Sequence, residues 1–208
     1  MDQQDYYSYV VAQGHGLAHD PMNAIVGPRP IGWISTVDAA GRRNLAPYSF
    51  FNMFNYKPPI VGFSSTGRKD SLRNCQETGA FVCNLATRDL AEAVNLTSID
   101  ADHGEDEFTI AGLEAAPSRL VAPPRVALSP VALECKLCSV QEFTAADGRG
   151  VGAWFVTGEV VAVHIQRRLL RDGIYDTAAA APILRGGGPV DYFAITPEAR
   201  FEMTRPKR

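Results

Sequence analysis

The residues Ser64-Ser65-Thr66-Gly67-Arg68-Lys69-Asp70-Ser71 follow a short apolar run and open a helix-forming segment. They gather hydroxyls, a permissive glycine and two adjacent cations in one place. A helix N-terminus adds unpaired N–H groups and about half a positive charge, which attracts an anion. Arginine can grip two phosphate oxygens at once, and lysine acts as a point charge. The spacing is neither the GxxxxGK[ST] of a triphosphate loop nor the GxGxxG of a dinucleotide turn, so a monophosphate is the best match. Taken alone, the same residues also describe an ordinary helix cap at Asp70 or Ser71, with Arg68 and Lys69 pointing to water.

A second segment, NLAPYSFFN at Asn44–Asn52, has the opposite character. Pro47 has no N–H and interrupts ladder pairing at its own position, while small Ala46 and Ser49 permit close approach. Such a wall offers backbone donors and acceptors beside apolar surface. An isoalloxazine ring, with one polar edge and one greasy edge, needs that combination. The alternative is that Tyr48, Phe50 and Phe51 are core aromatics beside a β-bulge.

Strands must position both segments. Pro30 to Val37 is rich in β-branched and aromatic residues and ends at the turn Asp38 to Gly41, with Leu45 to Phe51 resuming as its partner. Pro59 to Ser64 is a buried-type strand, and Ala80 to Ala86 alternates with Phe81, Cys83 and Leu85 on one face. Val131 to Phe143 and Ala153 to Ile165 flank glycines at 148, 150 and 152 and read as a long hairpin. A final short strand is expected within Val190 to Ile195. Helices are expected over Asp70 to Thr78, stopped by Gly79, and over Arg88 to Leu96, with Leu90, Ala93 and Val94 on one face. Many strands with few short helices favour an antiparallel barrel over a doubly wound sheet.

The chain has 208 residues, 46% of them apolar and 21% charged, which suits one domain spanning residues 1–208. A net charge of −3 gives no reason to expect nucleic acid or an acidic membrane as partner. The N-terminal stretch MDQQDYYSYVVAQGHG lacks the basic start and apolar run of a signal peptide, and no run approaches the roughly 20 residues of a membrane span. Four cysteines, at 75, 83, 135 and 138, make no disulfide framework. A reducing cytoplasm is the expected compartment.

Other constellations point to structure rather than chemistry. Cys135 and Cys138 have CxxC spacing, but no second pair completes a zinc set, and residues three apart on a strand face opposite ways. His103 with Asp102, Glu105, Asp106 and Glu107 reads as a solvated loop, and His164 as a satisfied or surface histidine. His15 and His19 lie in a poorly patterned N-terminal segment. No metal site and no Ser/His/Asp hydrolase arrangement is expected.

Ordered pieces across most of the chain resemble the flavin reductase-like family with its FMN-binding split-barrel fold. They are HDP (19–21), PRPIGWIST (28–36), NLAPYSFFN (44–52), PPIVGFSS (58–65), KDS (69–71), TGAFVCNLA (78–86) and DEF…AGL (106–113). SPVALEC (129–135), GEVVAVHI (158–165) and LRGGGPVDYF (184–193) complete the set. The resemblance implies a mainly β, six-stranded antiparallel Greek-key split barrel with a few short flanking helices, usually a homodimer with FMN near the subunit interface. It implies that Ala46, Pro47, Tyr48, Ser49, Phe50, Phe51 and Asn52 line the ring, and that Ser64, Ser65, Arg68, Lys69 and Ser71 surround the phosphate. The 184–193 loop is expected to close near the flavin, and Ser71 stands where many relatives carry threonine. The implied activity is an FMN-dependent oxidoreductase taking hydride from NADH or NADPH and passing electrons to a free flavin, a flavin-dependent monooxygenase or another acceptor. An FMN-bound electron carrier without nicotinamide turnover is the alternative, and a ligand-binding sensor a third. Because the flavin carries the hard chemistry, no catalytic side chain is named.

Overall fold

A computed structural model describes residues 6–206; the first five residues of the N-terminal stretch and the last two of the chain lie outside the described residues. The fold begins with β1 (Gly32–Val37), whose six residues are all buried. Its alternate side chains serve two separate cores. Ile34 joins Phe63, Phe81 and Val156 inside the barrel, while Trp33 joins Leu45, Val94, Phe108 and Ile183 on the outside. The Asp38–Gly41 turn closes with the Gly41 N–H donating to the Asp38 carbonyl at 3.0 Å, with φ +80° at Gly41. The Asp38 carboxylate accepts the Ala40 and Arg42 N–H groups and braces the same turn.

β2 (Arg43–Tyr48) then pairs back on β1, with Leu45 opposite Ser35. β3 (Phe51–Tyr56) and β4 (Pro59–Thr66) form the next hairpin. β5 (Ala80–Leu85), β6 (Val131–Thr144) and β7 (Gly150–Ile165) complete one antiparallel sheet in the order β2-β1-β5-β6-β7-β4-β3. Its two edge strands, β2 and β3, are neighbours in the chain, separated only by Ser49 and Phe50. The sheet therefore has to curl until its edges meet, and the Ser64 N–H extends the β3–β4 ladder to the Phe50 carbonyl at 2.8 Å, at the point where the chain passes from one edge to the other. In the run β5-β6-β7-β4, the strand that precedes the other three lies beside the last of them, a Greek-key arrangement.

The barrel sheet has seven strands rather than the six expected. The segment expected as one strand over 45–51 divides at Ser49–Phe50. Its first part pairs with β1 and its continuation, Phe51–Tyr56, pairs with β4. β5 is buried along both faces, with only Leu85 partly exposed.

α1 (Asp70–Thr78) has the expected bounds, and Gly79 ends it at φ +69°, its N–H bonded to the Cys75 carbonyl at 3.0 Å. The expected cap at Asp70 or Ser71 is not what forms. Lys69 occupies the cap position with no side-chain cap hydrogen bond. The Asp70 carboxylate is taken by Arg73, His103 and the Gly104 N–H, and the Ser71 hydroxyl accepts from Asn44 Nδ2 at 2.9 Å. The second helical stretch is a 3-10 turn at Arg88–Leu90 continuing into α2 (Ala91–Leu96), which buries Val94. A further short helix, α3 (Glu107–Ile110), was not expected. Arg29–Pro30, Ile183–Arg185 and Tyr192–Ala194 form a small separate sheet. No helix among the described residues is long and apolar enough to cross a membrane.

Candidate functional site

The edge strand β2, the end of β4 and the start of α1 surround a cavity of about 430 Å³. That volume lies in the range of small-molecule sites. Ala46, Pro47, Tyr48, Ser49 and Phe50 line one side of it, and Ser64, Lys69 and Ser71 line the other. The two segments singled out in the sequence thus meet in one cavity. Their proximity follows from the topology: β2 and β4 approach across the seam, and α1 starts four residues after β4 ends.

The other four expected site residues lie off the cavity wall. The Phe51 ring packs beside Gly32, where an added Cβ would meet the Phe51 Cδ2 at 2.6 Å, and it fills the barrel wall. Asn52 is exposed and its side-chain carbonyl accepts the Met53 N–H at 2.8 Å. Ser65 is fully buried and donates to the Gly67 carbonyl at 3.0 Å, holding the turn before α1. Arg68 sits 5.1 Å above the Trp154 ring on β7.

Tyr48 has a double role. Its ring packs at a tilt against Phe63 in the barrel core, with centroids 4.6 Å apart. Its hydroxyl is buried with no hydrogen-bond partner. Burial pushes the phenol up to about 12, and the nearby Ser71 and Ser65 hydroxyls oppose that shift without closing a bond of normal geometry. The Ser49 carbonyl is fixed from outside by Arg29, whose Nε donates at 3.2 Å while its guanidinium lies 5.3 Å from the centre of the Phe50 ring. Arg29 is opposite Arg185 in the small sheet, and no residue of the 184–193 segment lines the cavity. There Tyr192 stacks with Arg185 and Phe193 is exposed.

Residues that the sequence did not single out supply much of the remaining wall. Asn44 and Thr66 belong to the two segments already identified. Thr97, Ser98, Ile99, Asp100 and Ala101 come from the loop after α2, and Glu107 from α3. This loop is pinned at both ends. Thr97 accepts from the buried Trp33 Nε1 at 2.8 Å, and Asp106 accepts from Arg43 Nε at 3.0 Å while capping α3 through the Phe108 N–H. Glu107 accepts the outward N–H of Leu45 on the edge strand at 2.9 Å. The stretch read as a solvated loop is therefore only partly so. Asp102, His103 and Glu105 are exposed, but Glu107 is 7% exposed because it satisfies that edge.

The charges at this end are mixed. Lys69 Nζ lies 3.3 Å from Asp100 Oδ1, both on exposed side chains. Burial raises Asp70, but the His103 hydrogen bond, the Gly104 N–H and the Arg73 charge outweigh it and hold the carboxyl below its ordinary range. Glu107 moves the other way: burial, reinforced by Asp70 and Asp106, raises it despite the Leu45 N–H.

The constellations read as structural have clear partners. Cys135 is buried and Cys138 exposed, on opposite faces of β6. His164 Nε2 lies 2.6 Å from the fully buried Glu134, whose carboxylate also accepts the Arg119 and Leu120 N–H groups. Among the described residues, no group of three or more His, Cys, Asp or Glu side chains is placed to hold a metal ion.

Residues 26–182 match the flavin reductase like domain. An uncharacterised protein of Halalkalibacterium halodurans is 39% identical over 167 residues, 77% of this chain and 79% of that protein. Among solved structures, nitrilotriacetate monooxygenase component B from Bacillus cereus superposes with a TM-score of 0.80 at 26% identity, covering 90% of this chain and 98% of that one. The 2-nitrobenzoate 2-nitroreductase of Pseudomonas fluorescens gives 0.78 at 30% identity, covering 89% and 88%. With three quarters of its length matched to the domain and the barrel shared with these structures, the chain belongs to the flavin reductase-like family.

Proposed function

We propose that the chain is an FMN-dependent oxidoreductase, a flavin reductase that takes hydride from NADH or NADPH, with residues 1–208 working as one unit in the cytoplasm. One observation carries this reading. A single cavity joins a wall of strand backbone and small or aromatic residues to the N-terminus of α1, flanked by Ser64, Thr66, Lys69 and Ser71. The donor set fits FMN: hydroxyls, a lysine and helix N–H groups suit a phosphate, and the Ala46–Phe50 wall suits a planar ring with one polar edge.

When bound, FMN supplies the hydride and electron chemistry. The chain's part is to bind and orient it. Arg29 fixes the Ser49 carbonyl and so the path of the ring-side wall. Asn44 orients Ser71, and the Trp33–Thr97 bond holds the loop over the phosphate end. Lys69 supplies the cation there. The carboxyls near the cavity are placed to set charge rather than to exchange protons with a nicotinamide.

The electron acceptor is proposed as free flavin or a flavin-dependent monooxygenase, in keeping with the monooxygenase component among the structural relatives. Homodimerisation is proposed through the outer faces of β3, β6 and β7. Met53, Phe54, Phe143 and Val151 are exposed there, and Phe155 packs against Phe54 and Phe143 at centroid distances of 4.9 and 5.9 Å. Sedimentation of the purified protein checks this, and a monomer at micromolar concentration contradicts it.

The activity test mixes purified protein with excess FMN and either nicotinamide under air, following loss of nicotinamide absorbance. Turnover with at least one nicotinamide is expected. FMN binding without turnover by either would replace the reductase with a one-protein electron carrier reduced by another donor.

A further inference from the structure

The phosphate end holds more negative side chains than an anion seat needs. Asp70, Asp100 and Glu107 share its wall with a single cation, Lys69. Two of the three carboxylates have cationic partners: Asp70 is held by Arg73 and His103, and Asp100 by Lys69. Glu107 does not. Among the described residues its one hydrogen-bond partner beyond its own helix is the Leu45 N–H, and Arg43 on the same strand is committed to Asp106. The groups facing it are Asp70 from α1, Asp106 from its own helix start, and the phenol of Tyr48 from β2. Tyr48 is 8% exposed, its hydroxyl lies near those of Ser71 and Ser65, and among the described residues that hydroxyl has no hydrogen-bond partner. Among the described residues, no cationic side chain pairs with Glu107.

We propose that Glu107 is a binding residue that enters the complex as the neutral acid, so that uptake of a phosphomonoester at this cavity is coupled to uptake of one proton from solvent. The proposal rests on the FMN reading above and goes beyond it by assigning Glu107 a role in recognition. The ionised carboxylate repels an incoming phosphate at the same wall. The neutral acid removes that repulsion and gains an O–H to donate, while its other oxygen keeps the Leu45 N–H. The direction in which burial already moves Glu107 agrees with this. Proton uptake is greatest between the free and the bound titration points of the carboxyl. In that window FMN affinity falls as pH rises, by up to about tenfold per pH unit for one proton. Below the free titration point the acid is neutral in both states and the linkage vanishes.

The test measures FMN binding by quenching of flavin fluorescence and by calorimetry in two buffers of different protonation enthalpy, for the wild type and Glu107→Gln. Riboflavin serves as the ligand without phosphate. The amide keeps an acceptor for Leu45. The wild type is expected to take up close to one proton more than the variant, with a steeper pH slope, and the variant to bind FMN more tightly at alkaline pH. The phosphate's own titration, near pH 6, contributes equally to both proteins and cancels. Riboflavin is expected to show no difference in slope. Equal proton uptake and equal slopes in the two proteins overturn the role of Glu107 while leaving FMN binding intact. Absence of FMN binding at every pH overturns the functional reading itself. Should Glu107→Gln fail to fold, the wild type alone decides through its infrared difference spectrum on adding FMN: a gained protonated-carboxyl band supports the proposal, and none contradicts it.

Discussion

The two ends of the cavity are built differently. The end proposed for the ring is strand backbone bolted to the barrel core: Tyr48 packs on Phe63, and the Ser64 N–H holds the Phe50 carbonyl. Its geometry is set by the same packing that folds the protein. The end proposed for the phosphate is assembled from a helix start and a loop that returns to the barrel through three polar ties, Trp33–Thr97, Arg43–Asp106 and Leu45–Glu107. Its chemistry is set by charges that the loop brings from roughly thirty residues downstream. One end should respond to mutation as a core does, losing everything together. The other should respond group by group.

The largest effect is expected at the ring end. Phe63 is fully buried and also meets Phe81 edge-on at 5.5 Å. Phe63→Ala should cost about 3–5 kcal/mol of stability, seen as a lower urea midpoint, and should weaken FMN and riboflavin alike. Selective loss of one flavin would break the distinction drawn above. Next comes Thr97→Val, which leaves the fully buried Trp33 N–H without its acceptor at an expected cost of about 1–3 kcal/mol. Because the tie belongs to the loop, FMN should suffer more than riboflavin in parallel titrations.

Lys69→Ala should weaken FMN about tenfold and leave riboflavin unchanged, the lower end for a charge-assisted contact because Lys69 is exposed. Arg68→Ala should do less, since that guanidinium lies over Trp154 rather than on the cavity wall. A larger effect from Arg68 than from Lys69 would move the phosphate towards β7. The smallest effect is expected from Asp100→Asn, which releases Lys69 from an exposed pair worth about 0–1 kcal/mol. FMN affinity should rise by at most about fivefold, and less in high salt. A fall would show that Asp100 contacts the ligand favourably.

What the sequence disclosed follows the same division. Strand patterning and the Asp38–Gly41 turn placed β1 and β2, and Gly79 placed the end of α1, because these depend on neighbours in the chain. The break at Ser49–Phe50 was not visible, since the pairing of Phe51–Tyr56 with β4 is decided by the closing of the barrel. Nor could the sequence say that Asp70 would bind Arg73 and His103 instead of capping its helix, or that Glu107 would be buried. The Arg73 pair is local to the helix, but the His103 contact and the burial of Glu107 depend on where a loop lands, and no local pattern encodes that. Arg68 and Lys69, adjacent and alike in charge, part company because the turn at Gly67 sends one towards Trp154 and the other to the cavity.

The central claim is that one cavity has a ring end and a phosphate end. Parallel titration of the wild-type protein with FMN and riboflavin, followed by flavin fluorescence, tests it most directly. The account predicts that both bind and that FMN binds at least about tenfold more tightly, the worth of a charge-assisted contact. Equal affinities would place the phosphate outside the cavity and contradict it.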